Sequence, residues 1–422
     1  MDIIKAPRGV RDVLPDESWK WAYVVETARK VADAFGYDEV HLPIFEHTEL
    51  FSRGIGDSTD VVEKEMYTFK DRSGRSLTLR PELTASMVRC YLEHGMSKRV
   101  QPVKLWSVGP MFRYERPQKG RYRQFWQLDV EALGSGAPEV DLEIVTFAVY
   151  LFDTLGLSNL EVVVNSVGCP ACRPVYREAL KEYVGSNYDE LCKTCQNRFE
   201  RNPLRILDCK NEHCREIMKE SPGMVGYLCD ECSEHFQKVK EGMSLLGISY
   251  KEDKNLVRGL DYYTKTAFEV LSGELGAQNA VCGGGRYDNL AEAIGGHHVP
   301  GVGFAAGIER IVLTMEGQGC DFGRKPGIDV FVAIADDSAR KAGLKLLYDI
   351  RRDKVSADMD YSGKSLSSQL KMASNKKAKL ACILGSAEIQ KGVVTVKDLA
   401  SGLQEEVHQN SLMNHIKQYI VR

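Results

Sequence analysis

FRYERPQKGRYRQFWQ occupies residues 112–127. Five basic residues, Arg113, Arg116, Lys119, Arg121 and Arg123, fall in this stretch against one acid, Glu115. Pro117 and Gly120 mark a loop, and residues 123–133 alternate polar and apolar. The spacing predicts a long hairpin in which residues 107–113 and 124–131 pair and the basic segment is the turn. Guanidinium groups on such a turn can fork onto phosphate oxygens with charge-assisted, bidentate bonds. The plain alternative is a solvated basic loop.

The chain around this hairpin has 422 residues, 43% of them hydrophobic, which predicts two or three domains. A net charge of -3 supplies no global positive field, so any nucleic-acid contact must come from local basic patches. The opening residues carry no apolar run behind a basic start, and no segment approaches the roughly 18 apolar residues of a membrane span. A cytoplasmic setting is expected. Eight of the twelve cysteines lie between Cys169 and Cys232. In a long chain without a signal peptide, such crowding favours metal thiolates over disulfides.

Working outward, residues 18–36 show apolar side chains at helical spacing and stop at Gly36. Residues 76–80, 100–108 and 160–167 read as strands, and an extended edge segment is expected around Pro43. Strand character returns near Tyr250 and at 268–271. The glycine-rich runs CGGGR (282–286) and GVGFAAG (301–307) follow, and residues 305–315 read as a helix with Gly307 near its start. Taken alone, the glycine triplet reads equally as a tight turn. Residues 317–327 look like a linker. Beyond them strands (329–335, 380–384) alternate with helices (338–351, 365–375), which predicts a small α/β domain with a mainly parallel sheet.

The residue order in 112–127 resembles the second signature motif of class II aminoacyl-tRNA synthetases, in the form used by histidyl-tRNA synthetases. The resemblance implies that Arg113 holds the α-phosphate of ATP, Glu115 lies near the adenine amino group and Arg121 near the terminal phosphates. It also implies that Arg116 and Gln118, at the loop tip, reach the acceptor end of tRNA(His). LVRGLDYYT (256–264) is similar to a second signature of the same family. That similarity places Arg258 beside the reacting phosphate, with Tyr262 and Tyr263 in the amino-acid pocket. GVGFAAGIER (301–310) resembles the third class II motif and implies that Arg310 stacks on adenine.

CGGGRYD (282–288) and TLRPELT (78–84) resemble segments beside the histidine pocket and add Tyr287, Glu82 and Thr84, with Gln127 completing that shell. By the same resemblance, Glu131 and Tyr263 hydrogen-bond the imidazole nitrogens, and Mg2+ bridges the phosphates of ATP. A pocket of fixed donors and acceptors rejects amino acids that leave those groups unpaired. RGVRDVLP (8–15) and the segment 34–51 are similar to the family's N-terminus and first motif, the latter implying a homodimer. Trp126 is expected only to pack.

The expected fold is an α+β catalytic core (1–320) built on an antiparallel sheet and class II synthetase-like. It carries a cysteine-rich insertion (168–248) and is followed by a C-terminal α/β domain (327–422) of the anticodon-binding kind. The expected activity is ligation of histidine to tRNA(His) through histidyl-adenylate. Two alternatives remain at the level of sequence. One is a catalytically silent, synthetase-like regulatory subunit of ATP phosphoribosyltransferase, and the other is a zinc-stabilised nucleic-acid-binding module. In the insertion, Cys169/Cys172, Cys192/Cys195 and Cys229/Cys232 form three C-x-x-C pairs, and Cys209 with Cys214 adds a looser one. These spacings suit tetrahedral, structural zinc. Eight thiolates can close one or two sites, and spacing alone leaves their pairing open.

Overall fold

The computed structural model describes residues 3–56, 59–118, 120–257, 259–275, 279–323 and 327–420. It divides into two compact units, Met1–Gly323 and Arg324–Arg422.

The first unit is built on an eight-stranded sheet. Its strands are β1 (Asp38–Glu39), β5 (Val103–Phe112), β6 (Gln124–Leu133), β7 (Leu160–Ser166), β8 (Tyr250–Glu252), β9 (Thr264–Ser272), β10 (Ala280–Arg286) and β11 (Gly301–Gly307). A separate three-stranded sheet holds β2 (Phe45–His47), β3 (Tyr67–Lys70) and β4 (Ser76–Leu79). The large sheet runs in the order β1-β5-β6-β11-β10-β9-β7-β8, antiparallel throughout except at its two edges, where β1 and β8 pair parallel. The basic stretch is the turn between β5 and β6, which pair from Val103↔Leu133 to Phe112↔Gln124. The hairpin expected from the alternation is therefore present and longer than its sequence pattern suggested.

Period-two alternation sorts the residues of β6 between two faces. Leu128, Val130 and Ala132 enter the main apolar core, packed with α1 (Pro15–Phe35), α4 (Pro138–Thr154), α8 (Asp230–Leu245) and α10 (Ile308–Gln318). Gln127, Asp129 and Glu131 point to the other face. That face is covered by α2 (Thr48–Ile55), α3 (Thr84–Glu93) and α9 (Leu290–Ala293), which share a second core with Tyr262, Tyr263 and Tyr287. Trp126 packs against the main core, its ring edge-on to Trp21 at 6.1 Å.

The two glycine runs are strands, against the tight-turn alternative for the first and the helix start expected at residue 305 for the second. Residues 282–286 form no turn: they lie in β10, in the interior of the sheet. Residues 305–307 belong to β11, and the helix begins only at Ile308. The reason is space. A Cβ on Gly284 would overlap the Gly303 carbonyl and Phe304, and one on Gly303 would overlap Glu131 Oε2. Glycine here serves close approach between strands and to a buried side chain.

The insertion folds as α5 (Cys172–Gly185), α6 (Lys193–Arg201), α7 (Glu212–Met218) and the first turn of α8 around its own small core. The rest of α8 does not belong with it, because Phe236, Val239 and Met243 bury in the main core. His235 of α8 also meets Asp141 of α4 at 3.1 Å, and the same carboxylate pairs with the fully buried Arg286 at the end of β10.

The second unit has a five-stranded sheet, β12 (Val330–Ile334), β13 (Ala357–Met359), β14 (Leu380–Leu384), β15 (Val393–Asp398) and β16 (Gln404–His408), in the order β13-β12-β14-β15-β16. The expected mainly parallel sheet is only half so. β13, β12 and β14 run parallel, whereas β15 and β16 join as an antiparallel meander. The two strands that mix the sheet lie beyond residue 384, past the last element expected from the sequence. Helices α11 (Arg340–Arg352), α12 (Leu366–Asn375), α13 (Ser386–Lys391) and α14 (Leu412–Ile420) accompany it.

Candidate active site

The face of the large sheet opposite the main core carries the chemistry. β6 contributes Gln127, Asp129 and Glu131, and opposite them β11 presents Gly307, Ala305 and Gly303. This pairing leaves a bare strip beside three polar side chains. Above it, the turn into α3 supplies Glu82 and Thr84. Thr84 Oγ1 donates to Glu131 Oε1 at 2.6 Å, and Tyr287 OH donates to Glu131 Oε2. Glu82 accepts from the backbone N–H groups of Thr84 and Ala85, and Tyr262 OH reaches it at 3.4 Å. The rings of Tyr262 and Tyr263 lie 4.7 Å apart, and Tyr262 meets Tyr287 at 5.7 Å. Glu82, Thr84, Glu131, Tyr262 and Tyr287 are thus joined by side-chain contacts into one cluster, with Tyr263 stacked beside Tyr262 and Gln127 on the same face of β6. Thr84 spends its hydroxyl proton on Glu131, leaving its oxygen as an acceptor.

The electrostatics of this pocket are unbalanced. Burial pushes Glu131 up to about 8 and raises Glu82 as well. Asp129 is also raised well above the usual carboxylate range, by burial and then by the charges of Glu131 and Glu82. Among the described residues, both oxygens of Asp129, Oε1 of Gln127 and Oγ1 of Thr266 are buried with no hydrogen-bond partner. Buried, unpaired carboxylates are costly, so such a cluster suits a cationic ligand carrying its own donors. Sequence reasoning missed Asp129, although its position midway between Gln127 and Glu131 on one strand puts it on their face.

Arginines flank the pocket. Arg113 donates to Pro81 O at 2.8 Å and lies over the Phe125 ring. Glu115 sits between Arg121 at 2.9 Å and Arg113 at 4.0 Å. Arg310 donates to Ala280 O at 2.7 Å; burial, then the nearby Arg121 guanidinium, lowers its pKa. Two guanidiniums within repulsive reach suit an anion between them. Arg116 and Gln118 are exposed at the hairpin tip, where Gln118 and Arg121 exchange backbone hydrogen bonds. The N-terminal segment braces this turn: Arg123 N donates to Gly9 O at 2.7 Å, and Arg11 lies over Tyr122. Arg80, absent from the sequence-derived set, clamps the backbone by donating to Leu42 O, Pro43 O and Pro110 O. Arg258 lies outside the described residues.

The eight insertion cysteines fall into two groups. Cys169, Cys172, Cys229 and Cys232 form one, and Cys192, Cys195, Cys209 and Cys214 the other. Within each group all sulfurs lie within 4.8 Å of one another. All eight thiols are free.

Comparison with known proteins agrees with this geometry. A family model described as histidyl-tRNA synthetase matches residues 9–198 and 203–311, and one described as anticodon binding domain matches 329–419. A histidine–tRNA ligase of Halothermothrix orenii is 49% identical over 417 residues, 99% of this chain and 100% of that one. A histidine–tRNA ligase of Moorella thermoacetica is 51% identical over 411 residues, 97% of each chain. The crystal structure of apo S. aureus histidyl-tRNA synthetase superposes with a TM-score of 0.83 at 38% identity, covering 98% of this chain and 100% of that one. With a buried carboxylate pocket beside an arginine-bearing hairpin, and with relatives matched from end to end, the chain belongs to the histidyl-tRNA synthetase family.

Proposed function

We propose that the chain is a histidine–tRNA ligase: it activates histidine with ATP to histidyl-adenylate and pyrophosphate, then transfers histidine to the 3' end of tRNA(His). The observation that carries this reading is the buried set Glu82, Asp129 and Glu131, whose carboxyl pKa values burial raises despite the Arg113 guanidinium near the first two, beside the Arg113–Glu115–Arg121 group. An amino acid has the opposite polarity, an ammonium for the carboxyls and a carboxylate facing the arginines.

In this reading Glu82, Thr84 and Gln127 hold the ammonium, and Asp129 deepens the negative field there. Glu131 and Tyr263 address the imidazole nitrogens, with Tyr262 and Tyr287 as walls. Arg113 and Arg258 draw charge from the α-phosphate as the histidine carboxylate attacks in line and pyrophosphate leaves. Glu115 reads the adenine amino group, Arg121 holds the terminal phosphates and Arg310 stacks on adenine. Mg2+, when bound to ATP, neutralises phosphate charge. The terminal ribose hydroxyl of the tRNA then attacks the adenylate carbonyl, the carbonyl–phosphate bond breaks and AMP leaves, with Arg116 and Gln118 at the acceptor end. No covalent enzyme intermediate is needed, and positioning carries the reaction.

We further assign residues 1–320 as the catalytic domain and 327–422 as the anticodon-binding domain, with the insertion running from residue 168 to the first turn of α8. The insertion is read as a structural zinc element. A homodimer fits the three-stranded sheet, which exposes Phe45 and Phe69 as a ring pair 6.5 Å apart. No helix among the described residues is long and apolar enough to cross a membrane, and we place the enzyme in the cytoplasm. The regulatory-subunit alternative is not favoured, because full-length ligases match the chain end to end. Pyrophosphate exchange into ATP, assayed with each amino acid in turn, decides the reading. Exchange dependent on histidine supports it, and exchange with no amino acid removes it.

A further inference from the structure

We infer that the insertion holds two structural zinc ions, and that the distal one braces the loop carrying Arg258. The inference rests on reading the insertion as a zinc element and adds the number of ions, the ligand sets and a role. Tetrahedral Zn2+ with Zn–S bonds of about 2.3 Å requires sulfurs about 3.8 Å apart. Cys169 and Cys172 stand at 3.5 Å, Cys169 and Cys229 at 4.0 Å, and Cys192 and Cys209 at 3.9 Å. Each group also receives a backbone N–H on sulfur, Cys229 N to Cys172 Sγ at 3.1 Å and Cys192 N to Cys214 Sγ at 3.2 Å. Such bonds orient the ligands and stabilise thiolate. With four sulfurs around each ion, no coordination position is left for substrate.

The two sites sit differently in the chain. The proximal one joins the start of the insertion, just after β7, to its return at the head of α8. Cys169 follows Gly168, whose carbonyl accepts from Lys265 N of β9, and Cys229 caps α8. The distal site joins the first turn of α6 to Cys209 and to Cys214 of α7, closing the segment that contains Pro203–Ile206. This segment reaches the Arg258 loop directly. Arg205 Nη2 donates to Gly259 O at 2.6 Å and lies 3.5 Å from Asp261, and Asn202 Nδ2 reaches the same carboxylate at 3.5 Å. Val257 packs against the insertion core, whereas Leu260 packs against the core beneath the tyrosine pocket. The main unit holds the segment 256–261 at Leu256, through Asn165, and at Asp261, through Ile55 O; its insertion side is held by a lobe whose small core includes the cysteines themselves. Such a core needs a metal to hold its shape.

The full-length protein, purified without added metal, should contain two zinc ions per chain by atomic emission. After exchange into Co2+, both equivalents should show thiolate-to-metal charge transfer and tetrahedral ligand-field bands. Cys214→Ser should alter the spectrum of one equivalent and leave the other unchanged. In Cys195→Ser/Cys214→Ser, amide hydrogen exchange at 256–263 should quicken by about tenfold or more while β6 stays protected. Absence of zinc would overturn the zinc reading and this inference with it. A single ion per unmodified chain would keep that reading and overturn the two-site assignment. Unchanged exchange at 256–263 in a variant that has lost one ion would overturn the brace. Histidine-dependent pyrophosphate exchange is scored separately, so failure of the ligase reading leaves these measurements interpretable.

Discussion

Glu131 is 1% exposed, and burial pushes its carboxyl up to about 8 from an ordinary 4.5. Between these values the folded chain keeps a proton that the unfolded chain has released, so ligand-free stability should fall as pH rises through that window. Glu131→Gln removes the titration: its unfolding free energy should exceed that of the parent at pH 8, by on the order of 2 kcal/mol, and approach it near pH 5. Histidine binding at pH 7 should release protons, seen by calorimetry in buffers of different ionisation heat; no release would contradict a carboxylate acceptor for imidazole. Gly303 defines the same site from the opposite strand. Gly303→Ala displaces the Glu131 carboxyl and should raise the histidine KM by about a hundredfold while changing the ATP KM little. Arg258→Ala should lower kcat by about a thousandfold with little change in either KM, because its interaction is with transition-state charge.

At the scale of elements, the β5–β6 hairpin divides labour along its length. Its base holds Arg113 and Glu115 near the pocket, and its tip exposes Arg116 and Gln118. Arg116→Ala should leave histidine-dependent pyrophosphate exchange intact and reduce the rate of transfer to tRNA by about tenfold, read in single-turnover assays. The hairpin was legible because alternation, Pro117 and Gly120 are all local features. The glycine strands were not legible as strands. Gly283, Gly284 and Gly285 lack side chains to show alternation, and what they make room for comes from β9 and β11. The three-stranded sheet yields a test of assembly: Phe45→Asp with Phe69→Asp should shift the protein to monomer in sedimentation, since charge on an apolar face opposes its burial.

For the whole molecule, each unit has its own core, with Val332, Leu347, Leu380 and Ile416 among the buried residues of the second. A chain ending at residue 323 should therefore retain pyrophosphate exchange to within about threefold, while aminoacylation of tRNA drops by about a hundredfold or more. The order of motifs along the chain carried the family. The division between units was also visible, as a glycine-rich stretch, although α10 runs on to Gln318 inside it.

Local sequence determined the elements that announce themselves locally: the basic hairpin, α1 with its Gly36 cap and the C-x-x-C pairs. Tertiary structure decided what depends on distant partners. Asp129 became a site residue because β6 turns it to the same face as Glu131, beneath Glu82 from a segment nearly fifty residues earlier. The cysteine pairing was undecidable from spacing, since ligand sets depend on how α5, α6, α7 and α8 fold back on each other. Glycine at 303 acquired its meaning only from the carboxylate beside it. Spacing along a chain encodes periodicity and turns; which side chains share a volume is set by packing of segments that the chain keeps apart.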